Sequence, residues 1–203
     1  ASGTRRDHSG LGNGLTDNNT VTGNPGPSVN IPLASQFTAA TTEYLSIDDN
    51  ADLSGGNRDF TIGCYAYFDS APGVGSARTL INKYRILGDL REYVLLWERT
   101  AVINQLHFAV SGDGTGTVVS AIYGGGTPIL PDTAAWYCIL AWHDSVADTI
   151  NIQVDNGTVY STATSAGGYD GTAPFQLGTL DTLVNYYHDG RMAGAFKGNR
   201  VLS

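Results

Sequence analysis

Along residues 60–68, Phe60, Ile62, Cys64, Ala66 and Phe68 share one parity, and Thr61, Gly63, Tyr65 and Tyr67 share the other. A period of two puts these sets on opposite faces of an extended strand, whereas a helix would scatter them around its circumference. The same period runs through Thr149-Ile150-Asn151-Ile152-Gln153-Val154, which predicts isoleucine and valine inward, Asn151 and Gln153 outward. Short apolar runs between turn residues recur at 44–47, 59–68, 78–84, 92–97, 106–110, 118–123, 136–142, 149–154, 158–160, 175–177 and 191–196. Many short strands at such spacing predict an all-β fold, a two-sheet antiparallel sandwich.

Composition agrees with that reading. Good helix formers are scarce, with Glu43, Glu92 and Glu98 the only glutamates and Lys83 and Lys197 the only lysines, against 26 glycines. A helical bundle is excluded. With 41% hydrophobic and 15% charged residues in 203, the chain can bury a core and is not a charge-driven disordered segment. The net charge is −8 and no run of Lys or Arg reaches three residues, so nucleic acid is not an expected partner. No apolar stretch approaches the roughly 18 residues of a membrane span, so no membrane insertion is expected. Cys64 and Cys138 lack metal-site spacing and are read as two buried thiols or, alternatively, one disulfide.

Residues 1–33 are rich in Gly, Asn, Thr and Pro, and the cluster Gly23-Asn24-Pro25-Gly26-Pro27 argues against regular structure. This stretch is expected to be an extended N-terminal arm with a first-strand region, ahead of one sandwich domain over 34–203. Asp155-Asn156-Gly157-Thr158 predicts a hairpin with Asn156 and Gly157 central in a type I′ turn.

The order of motifs resembles the laminin-G-like, concanavalin A-like lectin/glucanase superfamily in its jelly-roll form. The resemblance is carried by Gln36-Phe37, Glu43-Tyr44-Leu45-Ser46-Ile47, Asp59-Phe60-Thr61-Ile62, Leu80-Ile81-Asn82-Lys83, Arg91-Glu92-Tyr93, Trp136-Tyr137 with Ala141-Trp142-His143-Asp144, Pro174-Phe175-Gln176-Leu177-Gly178 and Val201-Leu202-Ser203. It implies the fold, and it implies further strands before Ala1 and after Ser203. On that footing the sheets are expected to leave edges open to a neighbouring chain.

Glucanases of this fold carry paired carboxylates on one strand. Here Glu92 and Glu98 have Val94 and Leu96 between them on the same parity, so both are read as solvated strand-end glutamates. His143-Asp144-Ser145 is a poor triad, because adjacent strand residues face opposite ways. The chain is therefore expected to be non-enzymatic. Related domains hold Ca2+ at the sandwich edge, and Asp48, Asp49 and Asp52 are the candidate ligands. Ala193-Gly194 stands where the family places an acidic pair.

Saccharide binding needs aromatic faces and a few planar polar groups. The candidates are Arg85, Asp89, Arg91, Tyr169, Asp170, Asn185, Tyr186 and His188, whereas Trp97, Trp136 and Trp142 are read as core because each falls in an apolar run. Two sequons place candidate glycosylation at Asn18 and Asn156. The resulting expectation is an extracellular or virion-surface lectin-like module that binds glycans or mediates adhesion. The alternative is a structural subunit or decoration protein of a virion, filament or surface layer, assembled as a homo-oligomer or lattice through its arm and sheet edges.

Overall fold

A computed structural model describes residues 4–164, 167–181 and 186–201. Its strands, numbered in chain order, form two antiparallel sheets. The eight-stranded sheet runs β1 (Thr4–Arg5), β2 (Leu15–Asn18), β5 (Tyr44–Ile47), β14 (Phe175–Leu177), β7 (Ser76–Arg85), β8 (Leu90–Arg99), β9 (Asn104–Ser111), β10 (Val118–Ile122). The seven-stranded sheet runs β13 (Tyr160–Ala163), β12 (Thr149–Val154), β11 (Trp136–Asp144), β6 (Phe60–Phe68), β15 (Gly190–Gly198), β4 (Ile31–Phe37), β3 (Thr22–Ser28). One turn of 3-10 helix, Ala39–Thr41, is the sole helical element among the described residues. No described helix is long and apolar enough to cross a membrane.

The core is the space between the sheets. Phe60, Ile62, Cys64, Ala66 and Phe68 all point into it, as the alternation predicts. Phe60 packs on Tyr93 at 5.1 Å between ring centres and edge-on to Phe108 at 6.1 Å, and Phe68 meets Trp97 edge-on at 5.3 Å. Burying each such side chain is worth about 1.5–3 kcal/mol. Trp97 is buried as expected, with its indole N–H donating to Asn104.

Four strands come from the stretch expected to be an arm or to lie at its boundary. β1 pairs with β2 and β2 with β5, while β3 pairs with β4 and β4 with β15. The stretch is extended, but it is paired into both sheets, and the expected boundary at 33/34 falls inside β4. Pro25 and Pro27 are accommodated because β3 is an edge strand whose register with β4 shifts between Pro25 and Ser28. An edge tolerates a residue without an N–H; the middle of a sheet does not.

The β12–β13 hairpin forms one residue earlier than predicted. Asp155 and Asn156 take the positive φ values, 51° and 56°, and the Gly157 N–H donates to the Val154 carbonyl. Both cysteines are free thiols. Cys64 faces the core and Cys138 lies half-buried on the opposite side of the same sheet, which corrects the reading of both as buried.

Candidate functional site

Arg85, Asp89, Arg91 and Tyr169 lie at one end of the sandwich, where their contacts are made within the chain itself. The Arg91 guanidinium pairs with the Asp89 carboxylate and reaches the Gly114 carbonyl at 3.4 Å. The Tyr169 ring packs against Gly114, where a Cβ would lie 2.4 Å from the Asp89 carbonyl and 2.8 Å from the ring. Asp170 is exposed beside Gly56. Arg85 faces Asp181 at 3.8 Å. Tyr186 packs with Tyr84 over Ala77, Val94, Leu96, Ala109 and Leu180, so that patch on the outer face of the eight-stranded sheet is roofed by the chain itself. His188 does not belong with them: it is fully buried, with ring centres 5.8 Å from Phe37 and 5.4 Å from Phe68. That leaves no face for an outside ligand, and burial pushes its pKa down to about 4. Asn185 lies outside the described residues.

Beneath these loops sits a buried ion cluster that the sequence did not reveal. Lys83, fully buried, contacts the Glu92 carboxylate, the Asp49 carboxylate at 2.8 Å and the Gly171 carbonyl at 2.6 Å. Glu92 also accepts the Gly55 and Gly171 N–H groups at 2.8 and 3.0 Å. Glu92 is thus not a solvated strand-end glutamate but an anchor for two loops. Burial pushes its pKa up, against the opposing pull of Lys83 and the two amides. Asp49 therefore faces a lysine, and Asp48 is an exposed loop residue. Among the described residues no group of three or more His, Cys, Asp or Glu side chains is arranged to hold a metal. His143 is likewise inside, its Nδ1 2.8 Å from the Arg58 carbonyl, while Asp59 binds Ser145. The Asn18 amide donates to the Thr16 carbonyl in β2 and to the Ser46 hydroxyl in β5, whereas Asn156 is exposed at its turn.

The outer face of the seven-stranded sheet is different. Here the parity opposite to the core carries large side chains. Trp136 pairs across to Tyr67, Tyr67 to Arg191, and Arg191 to Gln36, giving one row across β11, β6, β15 and β4 at strand spacing of roughly 4.8 Å. The Trp136 and Tyr67 rings are 5.4 Å apart, and the Arg191 guanidinium lies 3.6 Å from the Tyr67 ring centre and 5.4 Å from that of Trp136. Gln36 is fixed by donating to the Phe37 carbonyl and to Asp69, and by accepting from Asn24.

The next rows are Cys138–Tyr65–Ala193 and Leu140–Gly63–Phe196, and Trp142–Thr61 follows. Gly63 leaves room for both side chains: a Cβ there would sit 2.7 Å from Leu140 and 2.8 Å from Phe196. Trp136, Trp142, Tyr65 and Tyr67 are half-buried and Phe196 is exposed, so Trp136 and Trp142 are not core residues. From Trp136 to Trp142 the aromatic band extends about 20 Å along β11, at about 3.3 Å per residue. A face of this kind offers ring planes for stacking and fixed polar groups for hydrogen bonding.

No family model and no curated protein matches the chain. Solved structures do. The binding domain of Paraclostridial Mosquitocidal Protein 1 superposes with a TM-score of 0.71 at 13% identity, over 98% of this chain and 47% of that one. Domain 4 of AbnA, a GH43 extracellular arabinanase from Geobacillus stearothermophilus solved with arabinotriose, gives 0.65 at 12% identity, over 92% of this chain and 78% of that one. Mouse laminin alpha1 domains LG4-5 give 0.53 at 13% identity, over 81% and 39%. The chain thus spans about half the length of the first of these.

Proposed function

We propose, for a chain that has the concanavalin A-like, laminin-G-like sandwich fold, that it is a non-enzymatic lectin-like module acting outside the cell, and that it binds glycans on the outer face of its seven-stranded sheet. The observation that carries this reading is the row Trp136–Tyr67–Arg191–Gln36, where two half-exposed rings stand beside fixed polar groups on a rigid sheet. Ring planes stack on the C–H faces of sugars, and planar polar side chains take up their hydroxyls. Placing these groups on strands rather than loops sets their spacing in advance, which lowers the ordering cost of binding. The arabinotriose bound by the AbnA domain is consistent with a sandwich of this shape receiving oligosaccharides.

The test is a glycan array followed by titration calorimetry on the best ligand. Trp136→Ala is expected to weaken binding about tenfold or more, as loss of a central aromatic anchor does, with an unchanged melting temperature. Arg85→Ala, at the loop end, is expected to leave it unaffected. Equal affinity of the Trp136→Ala variant would refute this placement.

A further inference from the structure

We infer that Arg191 is a carboxylate receptor, so that the saccharide taken by this face is an acidic one; the inference rests on the glycan-binding reading above. Five other arginines are already engaged. Arg5, Arg85 and Arg91 face Asp17, Asp181 and Asp89, and Arg58 and Arg78 donate to backbone carbonyls. Among the described residues the Arg191 guanidinium has no carboxylate or hydrogen-bond partner; its contacts are with two rings. Arg6, Arg99 and Arg200 also have no ion pair there, but none of them is held against an aromatic ring.

At 3.6 Å from the Tyr67 ring centre, the guanidinium is held by cation–π attraction without spending its N–H groups. A planar fork held this way matches a carboxylate with two parallel hydrogen bonds. A carboxylate adds charge–charge attraction and a bidentate fit to what the hydroxyls of a neutral sugar diol would offer the same guanidinium. Trp136 adds the apolar wall against which the ring bearing that carboxylate can lie. At the other end of the row Gln36 holds Asp69, whose negative charge turns an anion toward the Tyr67–Trp136 side. The molecule as a whole carries −8, so a lone positive group backed by aromatics is a local device, screened beyond about 8–10 Å at physiological salt.

The test is titration calorimetry on the full chain with two matched pairs of probes: sialyllactose against lactose, and trigalacturonate against its carboxyl-reduced counterpart. The wild type is expected to prefer the acidic member of at least one pair by about tenfold. Arg191→Gln should erase the preference, bringing the acidic and neutral members of a pair to equal affinity. Arg191→Lys, which keeps the charge but not the fork, should restore only part of it. Trp136→Ala should weaken both members of a pair. Equal affinity within both pairs, or a preference that survives Arg191→Gln in a variant of unchanged melting temperature, overturns the carboxylate inference and leaves the glycan reading standing. Failure of every saccharide, together with a concentration-dependent dimer that Trp136→Ala dissociates in sedimentation, overturns both and makes the face a contact between two copies.

Discussion

His188 shows how much a single side chain can change between a linear and a folded reading. Next to Tyr186, Tyr187 and Asp189 it reads as part of a polar recognition loop. In the fold it is enclosed by Phe37 and Phe68 and kept neutral, with its pKa lowered to about 4 chiefly by burial. Nothing local to the residue distinguishes the two. The consequence is acid sensitivity. Between an unfolded pKa near 6.5 and the folded value, the unfolded chain binds the extra proton, so stability is complete above about pH 6.5 and is lost as pH falls toward 4. The full effect is about 3 kcal/mol. The denaturation midpoint in urea, measured from pH 7 to pH 4, is expected to fall over this window, and His188→Phe should flatten that part of the slope. A slope unaltered by the substitution would contradict the assignment. Lys83 makes the converse case. Lys83→Met leaves Glu92 enclosed without its counter-charge, and about 3–5 kcal/mol should be lost by the same measurement at pH 7.

At the scale of the element, the strands were readable and their surroundings were not. β5, β12 and β14 fall where the apolar runs place them, and β6 begins one residue later. Alternation fixes such segments because a one-residue slip would turn every large side chain the wrong way. β3 was not legible, since Thr22–Ser28 contains two prolines and two glycines and pairs only because it lies at an edge. The hairpin turn was legible to within one position. Asn-Gly and Asp-Asn both accept left-handed backbone, so composition alone does not choose between adjacent registers. With Asn156 at φ 56°, Asn156→Gly is expected to be neutral or slightly stabilising, and Asn156→Val to cost about 1–2 kcal/mol. Thermal denaturation of the two variants compares them directly; equal melting temperatures would place the positive φ elsewhere in the turn.

Across the whole molecule, the fold was legible and the candidate site was not. Period-two patterning says that a strand has two faces; it does not say which is inside when both are apolar. On β11 one face carries Trp136, Cys138, Leu140 and Trp142, and the other Tyr137, Ile139, Ala141 and His143. Size and hydrophobicity favour the first set as core, yet the second is inside because it shares a sheet face with Phe60 and Phe68 of the neighbouring β6, which point into the core. The face with Trp136 and Trp142 was thus assigned to the interior, and the search for ligands moved to loops where Arg85 and Arg91 are paired with Asp181 and Asp89.

Those loops owe their arrangement to Lys83, whose one nitrogen gathers oxygens from Glu92, Asp49 and Gly171. Seen this way, the ammonium performs the clamping that a dissolved ion performs in other proteins, but it arrives covalently tethered and in fixed stoichiometry. Chelators cannot strip it, and dilution into a calcium-poor medium cannot loosen it. This end of the sandwich should therefore take its shape on folding, whatever the mineral content of its surroundings.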